Sequence, residues 1–463
     1  MDRSGTGTNT GSGRAHLVGI AGKGMSGVAQ MLVQRGFAVS GSDIRLSPAL
    51  ERLRRLGIRV HEAHAPRHVP RSANLLVYAP EVARDDPERL TATRLGVPQA
   101  SLPQVLDRLM ATGRGVAIAG HRGSSAVAAM VGWTLFHAGL DPTIVLSTAA
   151  QQLGGWSRLG TGPHCVVEAI EVLGEIVPAA PRLAVVLNLE PRPEAEQEGQ
   201  VAAVRRFAAS VPRDGYILAS GRNALIVRAL ERIEATVEHL SLGRGCSWWG
   251  ADLREDRGRY RFRAFHRGRF VVEARLQVPG RRNVLNALAA VALCGRLDVP
   301  ALAIKEGLEE FAGLARGLES RGSYRGVTLV DDEAQDPCAV AEALAACREV
   351  FGRRRLWSLV RPEAPAAWAP FAAAFVGADC VLVADGRPNG SGQSSSEGAW
   401  DLVHALASAG VRARWVADLD GAVADLDRHL EPGDVLLMLG AGDVGKVADA
   451  LTTRRLARDH HGR

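Results

Sequence analysis

An α/β fold in three successive units is what this sequence predicts, and three observations carry the expectation. Short apolar runs alternate with helical patterns from one end to the other, the rhythm of parallel strands joined by crossover helices. Two glycine-rich loops each lie between a strand-like run and a helical pattern, the first Rossmann-like and the second P-loop-like. The length, 463 residues, exceeds what one hydrophobic core supports and fits two to four domains.

In the first unit, His16-Leu-Val-Gly-Ile-Ala21 reads as a strand and Met25 to Arg35 as a helix. Phe37–Ser40 reads as a second strand, Pro48 to Leu56 as a helix and Leu75–Tyr78 as a further strand. A second alternation opens at Gly115–Ala119 and a helical pattern to His137. It continues through Cys165–Val167, Leu183–Leu187 and Tyr216–Leu218 to a helix near Asn283–Leu297. From Ser247 to Val278 polar and apolar residues alternate, which predicts short antiparallel strands. The third alternation holds strands near Val327–Val330, Leu356–Leu359, Cys380–Val383 and Val435–Met438. The expected boundaries are a disordered tail 1–13, domains 14–112, 113–314 and 315–453, and a frayed basic tail 454–463.

Composition excludes several classes. Hydrophobic residues are 46% and charged residues 23%, which is globular rather than disordered. The six cysteines form no C-x-x-C pair, so a reduced, cytoplasmic protein is expected. The longest largely apolar stretch, Ala126 to Phe136, falls short of the ~20 residues that span a bilayer. The net charge of +6 rests on arginine, since lysine occurs only at 23, 305 and 446. The basic runs are short and scattered, which predicts solvated helix faces rather than a nucleic-acid surface. His164 and Cys165 lack a metal partner at useful spacing, and Trp248-Trp249 reads as packing.

Gly22-Lys23-Gly24-Met25-Ser26-Gly27 satisfies G-x-G-x-x-G after a strand and before a helix. Such glycines admit a diphosphate to the free N–H groups of the helix start. Asp43 follows the next strand, where an acid could accept a ribose hydroxyl. Taken alone, this loop would also suit an NAD-binding oxidoreductase. The second loop, Gly120-His121-Arg122-Gly123-Ser124-Ser125, occupies the place of G-x-x-x-x-G-K-[ST]. Ser124 stands where the lysine would meet β/γ-phosphates, and Ser125 keeps the hydroxyl on the magnesium side. Arg122 could partly compensate, with a different geometry. Glu168 and Glu171 follow a strand and could hold metal.

These residues together resemble the Mur ligases, in particular the branch that joins L-alanine to UDP-N-acetylmuramate. The resemblance covers nearly all of residues 14–450. Its carriers are HLVGIAGKGMSGVAQML, Ser40-Gly-Ser-Asp43, AVVLNLEP (184–191), GRRNVLNALAAVALC (280–294), FAGLARGLE (311–319), VDDEAQDP (330–337) and GAGDVGKVADAL (440–451). It implies an ATP- and Mg2+-dependent ligase of peptidoglycan precursor synthesis. In such an enzyme ATP phosphorylates the lactyl carboxylate of the sugar, and the amine of alanine displaces phosphate.

The resemblance further implies UDP-sugar binding by the first loop and a metal or water shell at Glu168. It puts roles on Asn188 and Glu190, an adenine side at Asn283 and Asn286, a phosphate side at Arg316, and a role for Asp331/Asp332. The departures fall on charged parts: Ser124 for lysine, Arg192-Pro193 for an aspartate and histidine, Arg282 for histidine, and 333–337 for Y-G-H-H-P. The expectation is therefore a catalytically impaired relative that keeps UDP-sugar binding and takes Mg-ATP poorly. A role beside other cell-wall enzymes would follow. An active ligase with an altered phosphate site is the alternative.

Overall fold

A computed structural model describes residues 13–44, 48–111, 113–169, 171–172, 175–176, 181–189, 192–362, 368–385, 396–440 and 443–461. Most of the tail expected at 1–13, the boundary residue Thr112 and Glu190 lie outside them, as does the side chain of Glu171. The chain forms two compact units. One comprises Met1–Ala251, Arg263–Ala274 and Leu285–Phe311; the other comprises Asp252–Phe262, Arg275–Val284 and Ala312–Arg463. The first expected domain and most of the second thus fall within one unit, while residues 252–262, 275–284 and 312–314 of the second belong to the other.

The first sheet holds β1 (Arg14–Val18), β2 (Ala38–Ser42), β3 (Arg59–His61), β4 (Leu75–Tyr78) and β5 (Gln99–Ser101) in the order 3-2-1-4-5. All its pairings are parallel; α1 (Met25–Gln34), α2 (Pro48–Arg55) and α3 (Pro87–Arg94) lie between its strands, and α4 (Leu102–Met110) leads from β5 to the second sheet. This is the Rossmann-like order the sequence predicts. β1 ends at Val18, three residues before the expected end, because Gly19 turns at φ +77°. A capping box starts α4, in which Ser101 accepts from the Gln104 amide and the Gln104 side chain accepts from the Ser101 amide.

The second sheet holds ten strands. In chain order they begin with β6 (Arg114–Ala119), β7 (Thr143–Ala150), β8 (Gly155–Arg158) and β9 (His164–Ala169). A separate two-residue pair, β10 (Glu171–Val172) and β11 (Glu175–Ile176), follows. The sheet resumes with β12 (Leu183–Val186), β13 (Tyr216–Ser220), β14 (Thr236–Leu242), β15 (Trp248–Asp256), β16 (Arg259–His266) and β17 (Arg269–Arg275). Their order is 17-16-15-14-13-12-6-9-7-8. The helix after β6, α5 (Ser124–His137), is the P-loop helix the sequence predicts. Trp248 packs as expected, stacked on His266 at 4.2 Å and donating to Glu238.

The third sheet joins β18 (Glu319–Tyr324), β19 (Val327–Asp332), β20 (Leu356–Val360), β21 (Cys380–Ala384), β22 (Ala413–Val416) and β23 (Val435–Leu439) in the order 18-19-23-20-21-22. Only β18 pairs antiparallel. Alternate residues of its central strands enter opposite cores, Val330, Val381 and Leu437 on one face and Leu329, Leu382 and Leu436 on the other. Burial on both faces is why these strands read as unbroken apolar runs. The last helix runs Lys446–His461, so the stretch expected to fray is helical to His461. No helix among the described residues is long and apolar enough to cross a membrane.

α1 meets β7 and β8 closely. A Cβ on Gly27 would lie 2.9 Å from the Leu146 carbonyl oxygen and 2.9 Å from Val145 Cγ1. Gln30 completes the contact, donating to the carbonyls of Gly154 (2.8 Å) and Ser157 (3.0 Å) and accepting from the Trp156 amide (3.0 Å). The last glycine of the first fingerprint therefore serves packing, not ligand approach. Gly27→Ala should lower stability by about 1–3 kcal/mol, read as a fall in the urea midpoint.

Candidate functional site

The first glycine loop is held from the end of β2. Gly19 and Ile20 donate to the Ser42 carbonyl at 2.9 and 3.0 Å. The Ala21 amide donates to Asp43 Oδ2 at 2.9 Å, and the Asp43 amide to the His61 carbonyl at 3.0 Å. Asp43, expected to meet a ribose, is buried and ties the loop to the sheet. Gly22 donates to the Gly19 carbonyl, and Gly24 sits at φ +76° as the cap of α1. That conformation costs glycine little and a side-chain-bearing residue more. Met25 and Ser26 are buried, Ser26 Oγ donating to the Ile20 carbonyl at 3.1 Å, while Lys23 is exposed. What remains for a ligand is the amide-rich start of α1 with an ammonium beside it, an arrangement suited to an anion.

The second loop is clamped by Asn188 at the end of β12. Its Oδ1 accepts from the Arg122 amide at 2.9 Å, its Nδ2 donates to the Arg122 carbonyl at 2.7 Å, and its carbonyl accepts from the His121 amide at 3.3 Å. Gly120 lies against Leu187, and Gly123 turns at φ +84° beneath Asn286. A Cβ on Gly123 would come within 2.6 Å of Asn286 Oδ1, so the buried Asn286 packs on the loop itself.

Glu168, on β9 and 9% exposed, is the centre of this site. Ser124 Oγ donates to its Oε1 at 2.8 Å and Ser125 Oγ to its Oε2 at 2.8 Å. Ser147 adds its amide at 3.0 Å and its hydroxyl. Thr148 Oγ1 lies 3.4 Å from Ser125 Oγ. Ser147 and Thr148 on β7 were not anticipated; the polar pair ending the run Ile144-Val-Leu146 was the available signal.

Ser125, Glu168 and Thr148 are hard oxygen donors of the kind that, with phosphate oxygens and water, suit Mg2+. The phosphate half fits less well. Ser124 supplies a hydroxyl where an ammonium would stand, and among the described residues the hydrogen bonds to Glu168 come from uncharged groups. Backbone N–H groups at the start of α5 can face a phosphate, and Arg122 is the cation of the loop itself.

In the second unit Arg316 faces Asp331, with Nε 3.2 Å from both carboxylate oxygens. It also donates to the Gly440 carbonyl. The expected phosphate-side arginine is thus engaged by a buried carboxylate. Burial, reinforced by the Asp331 charge, raises the Asp332 carboxyl to about 6, against the Ala334 and Leu318 amides that donate to it at 2.9 Å each. Asn283 Nδ2 donates to the Pro279 carbonyl at 2.7 Å, and Arg282 pairs with Glu342 at 2.5 Å.

The departures from the family pattern have local structural roles. Arg192 pairs with Glu196 at 3.0 Å, and Pro193 stands at the N-terminal boundary of the helix Glu194–Ala209 without a capping hydrogen bond. Asp336 caps the helix Pro337–Phe351, accepting from the amides of Cys338 and Ala339 at 3.0 and 2.9 Å.

Comparison with known proteins gives a consistent assignment. Residues 14–114 match the Mur ligase family, catalytic domain, and residues 318–442 match the Mur ligase, glutamate ligase domain. The chain is 32% identical over 445 residues to a UDP-N-acetylmuramate–L-alanine ligase of a Sulfurihydrogenibium species, covering 95% of this chain and 97% of that protein. It is 34% identical over 442 residues to the corresponding Anaeromyxobacter dehalogenans protein, covering 93% and 95%. The crystal structure of UDP-N-acetylmuramate–alanine ligase MurC from Thermotoga maritima shares the fold. Its TM-score is 0.81 at 24% identity, over 96% of this chain and 99% of that one. A murein peptide ligase from Psychrobacter arcticus shares it at a TM-score of 0.72 and 21% identity, over 96% and 98%. By its sequence relatives along nearly its whole length, the chain belongs to the Mur ligase family.

Proposed function

We propose that this chain is a relative of the UDP-N-acetylmuramate–L-alanine ligases of peptidoglycan synthesis that keeps UDP-sugar binding and has lost most of its phosphoryl transfer. Three domains, 14–112, 113–314 and 315–453, divide the work on this reading. The first uses the amides at the start of α1, with Lys23, to take the diphosphate of the sugar nucleotide. The reading rests on one observation: Glu168 is satisfied by Ser124, Ser125 and Ser147, with no ammonium in the loop.

Phosphoryl transfer is mostly positioning plus stabilisation of crowded negative charge. Loss of one such donor typically costs about 10²–10³ in rate. Here lysine and histidine are both replaced at positions that, by the family resemblance, surround the same phosphate. The second reading, an active ligase with an altered phosphate site, is favoured by the intact Asn188 clamp and by Ser125 and Glu168. An NAD-binding oxidoreductase has no support: Asp43 Oδ2 is taken by the Ala21 amide, and the family assignment accounts for the motifs beyond the first loop.

Calorimetric titration separates the two surviving readings. UDP-N-acetylmuramate should bind, Mg-ATP should bind poorly, and phosphate release with L-alanine present should stay near background. Tight Mg-ATP binding coupled to product formation would refute the impaired-enzyme reading. Restoring the ammonium provides a second check. Ser124→Lys should tighten Mg-ATP binding at least about tenfold, as a charge-assisted contact does. It should not restore ligation, because 192–193 and 333–336 remain substituted. Full ligation by this single variant would show that one residue, not a set, had been limiting.

A further inference from the structure

A titratable cluster built on two fully buried side chains lies outside both loops, beneath the first. Glu88, in the first turn of α3, and His16, on β1, are both fully buried. Glu88 Oε2 takes hydrogen bonds from His16 Nε2 at 3.1 Å and from Ser42 Oγ at 2.5 Å. Its Oε1 accepts from the Ala65 amide at 3.0 Å and from His68 Nδ1 at 3.1 Å. His16 Nδ1 meets Ser40 Oγ at 2.9 Å. One carboxylate therefore joins β1, β2, α3 and the turn Pro66–His68. His68 in turn stacks on His61, with ring centroids 4.0 Å apart and planes 4° apart.

Two routes lead from this carboxylate to Asp43. Ser42 is its chain neighbour, and the His61 carbonyl accepts from the Asp43 amide. Asp43 holds the Ala21 amide in the glycine loop. We propose that Glu88 is a positioning residue for the first glycine loop, fixing through Ser42, His61 and Asp43 the amides that receive the diphosphate of a UDP-sugar. The inference rests on the proposed function for its ligand, not for its geometry.

The surrounding charges are His16 from β1, Asp43 after β2, Arg59 and His61 from β3, His64 before the turn and His68 at its end, and Asp86, which holds His64 at 2.6 Å. Burial tends to raise the Glu88 carboxyl, but hydrogen bonds from His16 and Ser42 outweigh it and leave the group below the ordinary value of 4.5. A depressed folded-state value means that its contribution to stability is present above 4.5 and is lost as pH falls below it. Burial, with the nearby His68 and His16, lowers His61 from 6.5, so the ring stays neutral where an unfolded chain would take up a proton.

Glu88→Gln is the informative variant. Its amide oxygen can serve Ala65 and His68, and its NH2 group can face a hydroxyl and a His16 tautomer that accepts, so the fold should survive without the charge. Leu53→Ala, in the core on α2, serves as a control of similar destabilisation. Hydrogen exchange of a peptide covering residues 19–27 should rise at least about fivefold in Glu88→Gln and stay near wild type in Leu53→Ala. UDP-N-acetylmuramate affinity should fall about tenfold or more in Glu88→Gln, in line with loss of hydrogen bonds to a charged group. The gap in denaturation midpoint between wild type and Glu88→Gln should narrow below pH 4.5.

Loop exchange and affinity both unchanged in Glu88→Gln, or loop exchange raised equally in Leu53→Ala, would overturn the positioning role. If the wild type itself fails to bind the sugar nucleotide, the functional reading falls, while the exchange comparison still decides the role of Glu88.

Discussion

The second loop depends on the full hydrogen bonding of one buried carboxylate. An ionised side chain removed from water is costly unless partners replace its solvation. Glu168 obtains them from Ser124, Ser125 and Ser147, three residues on two elements that the β6-β9-β7 order brings together. The same bonds draw the start of α5 onto β9 and β7. With the Asn188 clamp on the other side, the loop keeps a P-loop shape through neutral hydrogen bonds. Shape and charge, which a lysine would combine, are separated here.

That separation explains why the scaffold and the chemistry can be judged independently. A glycine turn, an asparagine clamp and a helix start need no cation to hold their geometry. A triphosphate, by contrast, brings several negative charges that the loop must offset as they approach. Hydroxyls and amides offer partial charges only. The second unit follows the same logic, since Arg316, which could face a phosphate, is turned to Asp331 and the Gly440 carbonyl.

How far this was legible in the sequence depended on which signals are local. The glycine loops, the buried strands of the third sheet and the helices that follow them carry their signals in a few consecutive residues. Both loops are where the sequence puts them. The roles of Gly27, Asp43 and Asn286 were not legible, because each is set by a neighbour remote in the chain: Leu146, Ala21 and Gly123. β7 escaped notice because its polar end, Ser147-Thr148, looks like a loop until Glu168 is opposite it. The three-residue β3 and β5 were too short for alternation to appear.

The residues at the positions that depart from the family pattern have local partners. Asp336 caps a helix, Arg192 and Arg282 form ion pairs with Glu196 and Glu342, and Ser124 solvates a carboxylate. Each serves its own neighbourhood, whereas residues that hold a metal or a phosphate place like charges close together and are strained until the ligand arrives. Local helix caps and hydrogen bonds of this kind stabilise by about 0.5–2 kcal/mol each. A chain released from binding a triphosphate would be expected to settle into such residues one position at a time. The first loop, where Asp43 and the network around Glu88 keep an amide-rich helix start in place, has not been rewritten in this way. The contrast between the two loops, more than any single replacement, is the physical argument behind the proposal that the first loop receives a sugar nucleotide.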